Sequence, residues 1–148
     1  MPLNAQLTLS ILAHETSSGD LSRTLRATPV SYASSLSDGT GAGQAQVAWS
    51  ATRTLAGASE TINPSALADT RDGSPATVTM TAVKVVYVRN KGGSAISIAG
   101  LPITSVAAGA AAMHCDPSAA GIVAGGVTVT GTVGGTYDIV LIGEGTVT

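Results

Sequence analysis

The residue types of a nucleophilic site stand together once in this chain, at His114-Cys115-Asp116. A thiol becomes a nucleophile when a base lies within hydrogen-bond reach and a third group orients that base. Neighbouring residues of an extended chain point to opposite faces, so this triplet does not converge. Nothing in the text brings His14, the second histidine, to Cys115. The pattern predicts a small buried thiol beside a loop. A hydrolase built on His114 and Cys115 stands as a third functional reading.

Other chemistry is equally sparse. Two histidines and one cysteine at unrelated spacings match no structural zinc pattern. Asp69-x-x-Asp72-Gly73 offers oxygens to calcium, but a twelve-residue loop closed by a glutamate is missing, so the motif reads as a turn. GTGAGQ, residues 39–44, lacks the Lys-Ser/Thr of a phosphate-cradling loop and the glycine spacing of a dinucleotide site. The nine acidic residues single out no pair that would work across a glycosidic bond. Trp49, Tyr32, Tyr87 and Tyr137 are the full stock of aromatics from which a glycan platform could be built. The sequence thus singles out no catalytic, metal-ligating or cofactor-binding residue, and the expectation is a protein that is not an enzyme and has no cofactor.

Composition limits the partners. With 148 residues the chain fits one domain, or one domain with an arm, and is long enough to form a core without disulfide or metal. Charged residues make up 11%, against about a quarter in an average soluble domain. Aromatics are 3% and Phe is absent, yet mean hydropathy is +0.35. A surface so poor in charge is explained most simply by burial against neighbours in an assembly, the alternative being a covering of Ser, Thr, Gly and Ala. The net charge of −2 and seven scattered Lys and Arg argue against nucleic acid. No apolar run of about 18 residues and no basic amphipathic helix point to a membrane. Cys115 has no partner for an intramolecular disulfide. The apolar N-terminal stretch lacks a preceding positive region and reads as structure, not as a signal peptide.

Almost every element that must position these residues has the period of a strand. Leu7, Leu9 and Ile11 share one face of residues 5–13, and Val47, Trp49, Ala51, Arg53 and Leu55 share one face of residues 46–56, where Arg53 is out of place and implies incomplete burial. Residues 21–34 are ambiguous but favour extended chain, with Pro29 barring a central position. Residues 37–44 and 69–75 read as loops, and Asn63-Pro64 as a turn or short helical start. In the run 76–90, Val78, Met80, Ala82, Lys84, Val86 and Val88 fall on one face. Residues 83–100 read as a hairpin through Gly92-Gly93, and the last quarter as a second hairpin through Gly134-Gly135. Residues 107–113 are the best helix candidate, uncapped and broken by Gly109. Many short strands without a βαβ rhythm give an all-β fold, an antiparallel β-sandwich.

The stretches VKVVYVRNKGGSAISIAG, VAAGAAAMHCDPSAAG and GVTVTGTVGGTYDIVLIGEG, preceded by WSATRTLAGASETINPSALAD, resemble the small jelly-roll-like β-sandwich virion proteins of tailed bacteriophages. The points of likeness are the strand ending in Asn90 before a Gly turn, the Gly-rich loop, and the closing strand from Tyr137 to Gly143. The resemblance covers about residue 46 to the C-terminus. It implies a β-sandwich domain over residues 46–148, with residues 1–45 an N-terminal strand or arm and loops. It also implies a decoration, cement or minor capsid protein on the virion capsid surface, made in the bacterial host cytoplasm. Its partners would be the major capsid protein and copies of itself, as a homotrimer. The alternative is a glycan- or receptor-binding β-sandwich module of a phage tail or capsid spike. Residues 1–13 would either add a strand to a neighbouring subunit or pair within their own domain.

Overall fold

A computed structural model of the chain describes residues 3–11, 14–17, 23–26, 30–71, 73–118, 120–122 and 125–148. Every helix or strand among the described residues is a strand. One antiparallel sheet takes β6 (Val47–Thr54), β9 (Ser74–Asn90), β12 (Ala111–Cys115) and β14 (Thr136–Val147) in the order β12-β9-β14-β6, with β8 (Leu67–Arg71) also on β9. A second, smaller sheet takes β7 (Ser59–Ile62), β10 (Ile96–Ala99), β11 (Ser105–Val106) and β13 (Val127–Thr130) in the order β11-β10-β13-β7. Set β8 aside and count the remaining eight along the chain. The large sheet then reads sixth, third, eighth, first, and the small sheet fifth, fourth, seventh, second. That winding is the jelly roll, an antiparallel β-sandwich.

The winding overturns both glycine-turn hairpins. Residues 83–100 do hold two strands, but β9 belongs to the large sheet and β10 to the small one. Asn90 to Ser94 is therefore an arch between layers, and Gly134-Gly135 between β13 and β14 is another. A local pattern of strand, turn and strand cannot tell a hairpin from an arch, because only pairing partners differ. Within the sandwich, consecutive strands pair at β8–β9, where Arg71 pairs with Ser74, and at β10–β11, where Ile96 pairs with Val106. Most of the loop expected over residues 69–75 is thus strand. Residues 107–113 are not a helix either. A turn at Ala108 and Gly109 (φ 70°) leads into edge strand β12.

The central pair β9–β14 carries the geometry. Ladder pairing jumps twice, between Ile142 and Gly143 and between Glu144 and Gly145, so Lys84 and Thr81 are extra residues on β9. Each bulge inserts one residue and reverses which parity faces inward. Val78 and Met80 face the core, then Val83, then Val86 and Val88. The single face expected for 78–88 is therefore real at its ends and wrong in its middle. Ala82 and Lys84 leave it, and a fully buried Val83 replaces them. Opposite the bulges stand Gly143 and Gly145. A Cβ on either would collide with a β9 carbonyl oxygen, that of Ala82 or of Thr79.

The other inward residues fill the space between sheets: Trp49 and Leu55 from the β6 side, Ile62, Ile96, Ile98, Val106, Val127 and Val129 from the small sheet, and Tyr137, Ile139 and Leu141 from β14. Burying each large aliphatic contributes roughly 1.5–3 kcal/mol, enough for a core of this size to stand without metal or disulfide.

Before β6 the chain forms a separate layer. β1 (Ala5–Ile11) pairs antiparallel with β4 (Val30–Asp38), and β5 (Gln44–Ala45) lies parallel to β4. β2 (His14–Ser17) pairs with β3 (Arg23–Arg26) in the same nested order. Pro29 lies outside the described residues. Leu7, Leu36 and Ala45 cover Val85 on the outer face of the large sheet, with Cys115 and Ile142 packed against them. Val85 reaches that face by alternation with the inward Val86 and Val88.

If the bulges need bare backbone opposite them, Gly143→Ala should destabilise the fold by about 3 kcal/mol, from overpacking against main chain that cannot move away. Gly109→Ala, where a Cβ meets nothing within 4 Å but φ is +70°, should cost only about 1 kcal/mol. Thermal unfolding of both variants measures the difference, expected as a drop near 10 °C for the first. Equal midpoints would contradict the assignment.

Candidate functional site

The His114-Cys115-Asp116 triplet does not assemble. Cys115 turns toward the N-terminal layer, packed against Leu7, Leu36 and Val85. On β12, Ala112 packs into the sandwich core, so His114, two residues on, takes that opposite side. Asp116 caps the following turn: its carboxylate accepts from the Ser118 N–H at 3.0 Å, the main reason its acidity is increased. The side chain of His14 and all of Asp72 lie outside the described residues. Among the described residues no three His, Cys, Asp or Glu side chains gather as a metal site.

The aromatic residues divide. Trp49 is buried and its indole N–H donates to the Ala68 carbonyl at 2.9 Å. Tyr137 is fully buried and Tyr87 half-buried, whereas Tyr32 is 46% exposed.

Polar or charged side chains gather their partners in three places, each at a joint of the sandwich. The first was foreshadowed by the misfit Arg53. Alternation on β6 sends Arg53 inward opposite Tyr137, at the edge of the large sheet. Alternation on β7 sends Glu60 inward from the matching edge of the small sheet. The Arg53 guanidinium grips one Glu60 oxygen, through Nε at 2.6 Å and through a second nitrogen. The Tyr137 hydroxyl donates to the other at 2.9 Å. The arginine's hydrogen bonds hold the Glu60 carboxyl below its ordinary value of 4.5, while burial pushes the Tyr137 phenol upward. This cluster ties one sheet to the other along their shared open edge. The arginine signalled the place, but its partners stood seven and eighty-four positions further on.

The second joint is Lys84, the bulge residue. Its ammonium is fully buried, 2.9 Å from Glu144, and it also donates to the Ser118 carbonyl. The Asp116 N–H bonds the Lys84 carbonyl and the Ile122 N–H bonds the Val83 carbonyl. The charge thus helps seat the segment that follows β12 on the sheet. A bulge is legible only from pairing, so periodicity alone placed Lys84 on the wrong face.

The third joint is Asn90, 1% exposed at the end of β9. Its amide nitrogen lies 2.8 Å from Ser94 O, 3.0 Å from Val106 O and 3.1 Å from Ala107 O, and its oxygen accepts from Gly92 N–H at 2.9 Å. One side chain therefore fixes the arch that leaves the large sheet and ties it to β11. Beside it, Gly92-Gly93 and Gly134-Gly135 border a cleft of about 370 Å³ with Ser94, Thr132 and Thr136. Lys91 pairs with Asp138 at 3.3 Å, and Asp138 also accepts from Thr52 at 2.7 Å.

These arrangements hold layers together. They do not aim a base at a nucleophile or gather donors around a vacant position. The class this defines is a jelly-roll sandwich with charge placed at its seams. No family model, curated protein or solved structure matches the chain.

The Glu60 cluster gives the fold a predictable response to acid. Its carboxyl titrates lower in the folded chain than in the unfolded one, so its contribution is complete above the ordinary carboxyl value and is lost as pH falls through the depressed one. Glu60→Gln should cost about 1 kcal/mol at pH 7, a figure kept small because Arg53 is partly exposed. The gap to the parent should narrow by pH 3. Urea midpoints at the two pH values check this, and a gap independent of pH would exclude the pair as its source.

Proposed function

We propose that this chain is a non-enzymatic structural protein of a phage virion, decorating and cementing the capsid shell through subunit contacts. The observation that carries the reading is how charge is distributed over the jelly roll. The four strands of the small sheet hold one ionisable residue, Glu60, and it points inward to Arg53. A sheet face left without charge suits burial against neighbouring protein better than lifelong contact with water. Jelly rolls recur in viral capsid and lectin domains, and the resemblance of residues 46–148 to virion sandwiches favours the former. Contacts repeated over a shell need not be strong singly. An interface of about 1,600 Å² is standard, and association entropy absorbs much of its apolar gain. The major capsid protein and further copies of this chain are the proposed partners, and a homotrimer is the state the resemblance implies.

Virions assembled without the protein should release their DNA at a lower temperature than complete ones, and adding the purified chain back should restore the difference. Particles with unchanged density and heat resistance would end this reading.

Tyr32 favours the second reading, a glycan- or receptor-binding module of a tail or spike, because an exposed tyrosine on β4 can stack against a sugar ring. Burial of Trp49 counts against it. On that reading Tyr32→Ala abolishes glycan-array or host-cell binding while leaving the melting temperature unchanged. Retained binding would remove it.

A further inference from the structure

The two sheets differ in what covers their outer faces. Leu7, Leu36 and Ala45 lie over the large sheet. On the small sheet the outward residues are Ser59, Thr61, Ser97, Ala99, Ser105, Thr128 and Thr130, and all but the half-buried Thr128 are exposed. Strand register sets them in two rows. Ser59, Thr130, Ser97 and Ser105 form one ladder across all four strands, and Thr61, Thr128 and Ala99 form the next. Seven outward positions therefore carry only hydroxyls and methyls. Thr61 and Thr128 already satisfy each other at 3.3 Å.

We infer that this face is where copies of the chain meet, the occupant being the same face, or its rim, on a second copy. This deepens the structural reading above and rests on it. Three observations select the occupant. First, identical charged faces repel each other, a penalty that this uncharged face does not incur. Second, it offers no charge by which a partner of opposite sign would be chosen. Its low relief of small side chains can lie against the same low relief on another copy, whose strands have the same spacing of about 4.8 Å. Third, the extent is adequate. A standard interface takes about 800 Å² and 20–30 residues from each partner, roughly a tenth of this chain's 8337 Å². The face with its uncharged flanking loops, residues 56–58, 63–66, 100–104, 107–109 and 125–126, supplies about that number.

The test is the mass of the isolated chain by light scattering from about 1 to 100 μM, with no capsid present. The expected result is a multiple of 14.5 kDa. Ser97→Arg and Thr130→Arg, which put unpaired charges at the centre of the ladder, should each return it to monomer with an unchanged melting temperature. Ser50→Arg, exposed on the large sheet, should not. If the arginine variants fail to fold, Ser97→Cys in a Cys115→Ala background should form an intermolecular disulfide under mild oxidation. A parent chain monomeric throughout the range overturns the inference, as does an oligomer whose mass ignores both arginines. If the monomeric chain still bound capsids and Ser97→Arg abolished that binding, the face would belong to the capsid protein. The inference would then fall while the virion role stood.

Discussion

The pairing of β9 with β14 is the constraint from which the rest of this fold follows. β9 is seventeen residues long and runs through the middle of the large sheet with both faces covered. A regular strand would present one parity to the core throughout. Here the bulges at Thr81 and Lys84 reverse the parity twice, which brings Val83 inside between Val78 and Met80 on one side and Val86 and Val88 on the other, and leaves Lys84 outward beside Val85. The outward pair then has two uses: Val85 anchors the N-terminal layer and Lys84 holds Asp116 and Ser118 after β12. Gly143 and Gly145 make this possible by offering bare backbone where β9 crowds in.

Charge is scarce in this chain, and the described residues place much of it where layers must be joined. Hydrophobic burial holds the sheets face to face but is non-directional, so it does little to fix how their edges meet. Arg53, Glu60 and Tyr137 supply direction at one edge, and Asn90 supplies it where the chain crosses near the other. Each makes the hydrogen bonds named above, and such paired polar groups can specify how layers meet. The same placement leaves the outer face of the small sheet free of charge, which links the stability of the sandwich to the surface it presents.

Local alternation of apolar and polar residues was enough to find β1, β6, the bulk of β9 and β14 and to exclude a helical fold. It also exposed Arg53 as a residue needing a partner. What it could not supply was the partner of each strand. The text around Gly92-Gly93 and Gly134-Gly135 is the text of hairpins, yet in both cases the second strand joins the opposite sheet. Short elements such as β7, β11 and β12 carry too few residues to show a period, and Ala-rich β12 even favours helix by propensity until edge pairing to β9 decides otherwise.

By itself, then, the sequence determined the class of fold, the absence of an obvious chemical motif and the low charge that points toward assembly, because all three depend on residue type and short-range spacing. Tertiary structure alone decided that Arg53 meets Glu60 and Tyr137, that Lys84 is buried beside Glu144, and that seven small residues form one uncharged face. Those outcomes depend on which strands become neighbours, and strands far apart in sequence are brought together by burial and backbone pairing, which no local pattern records.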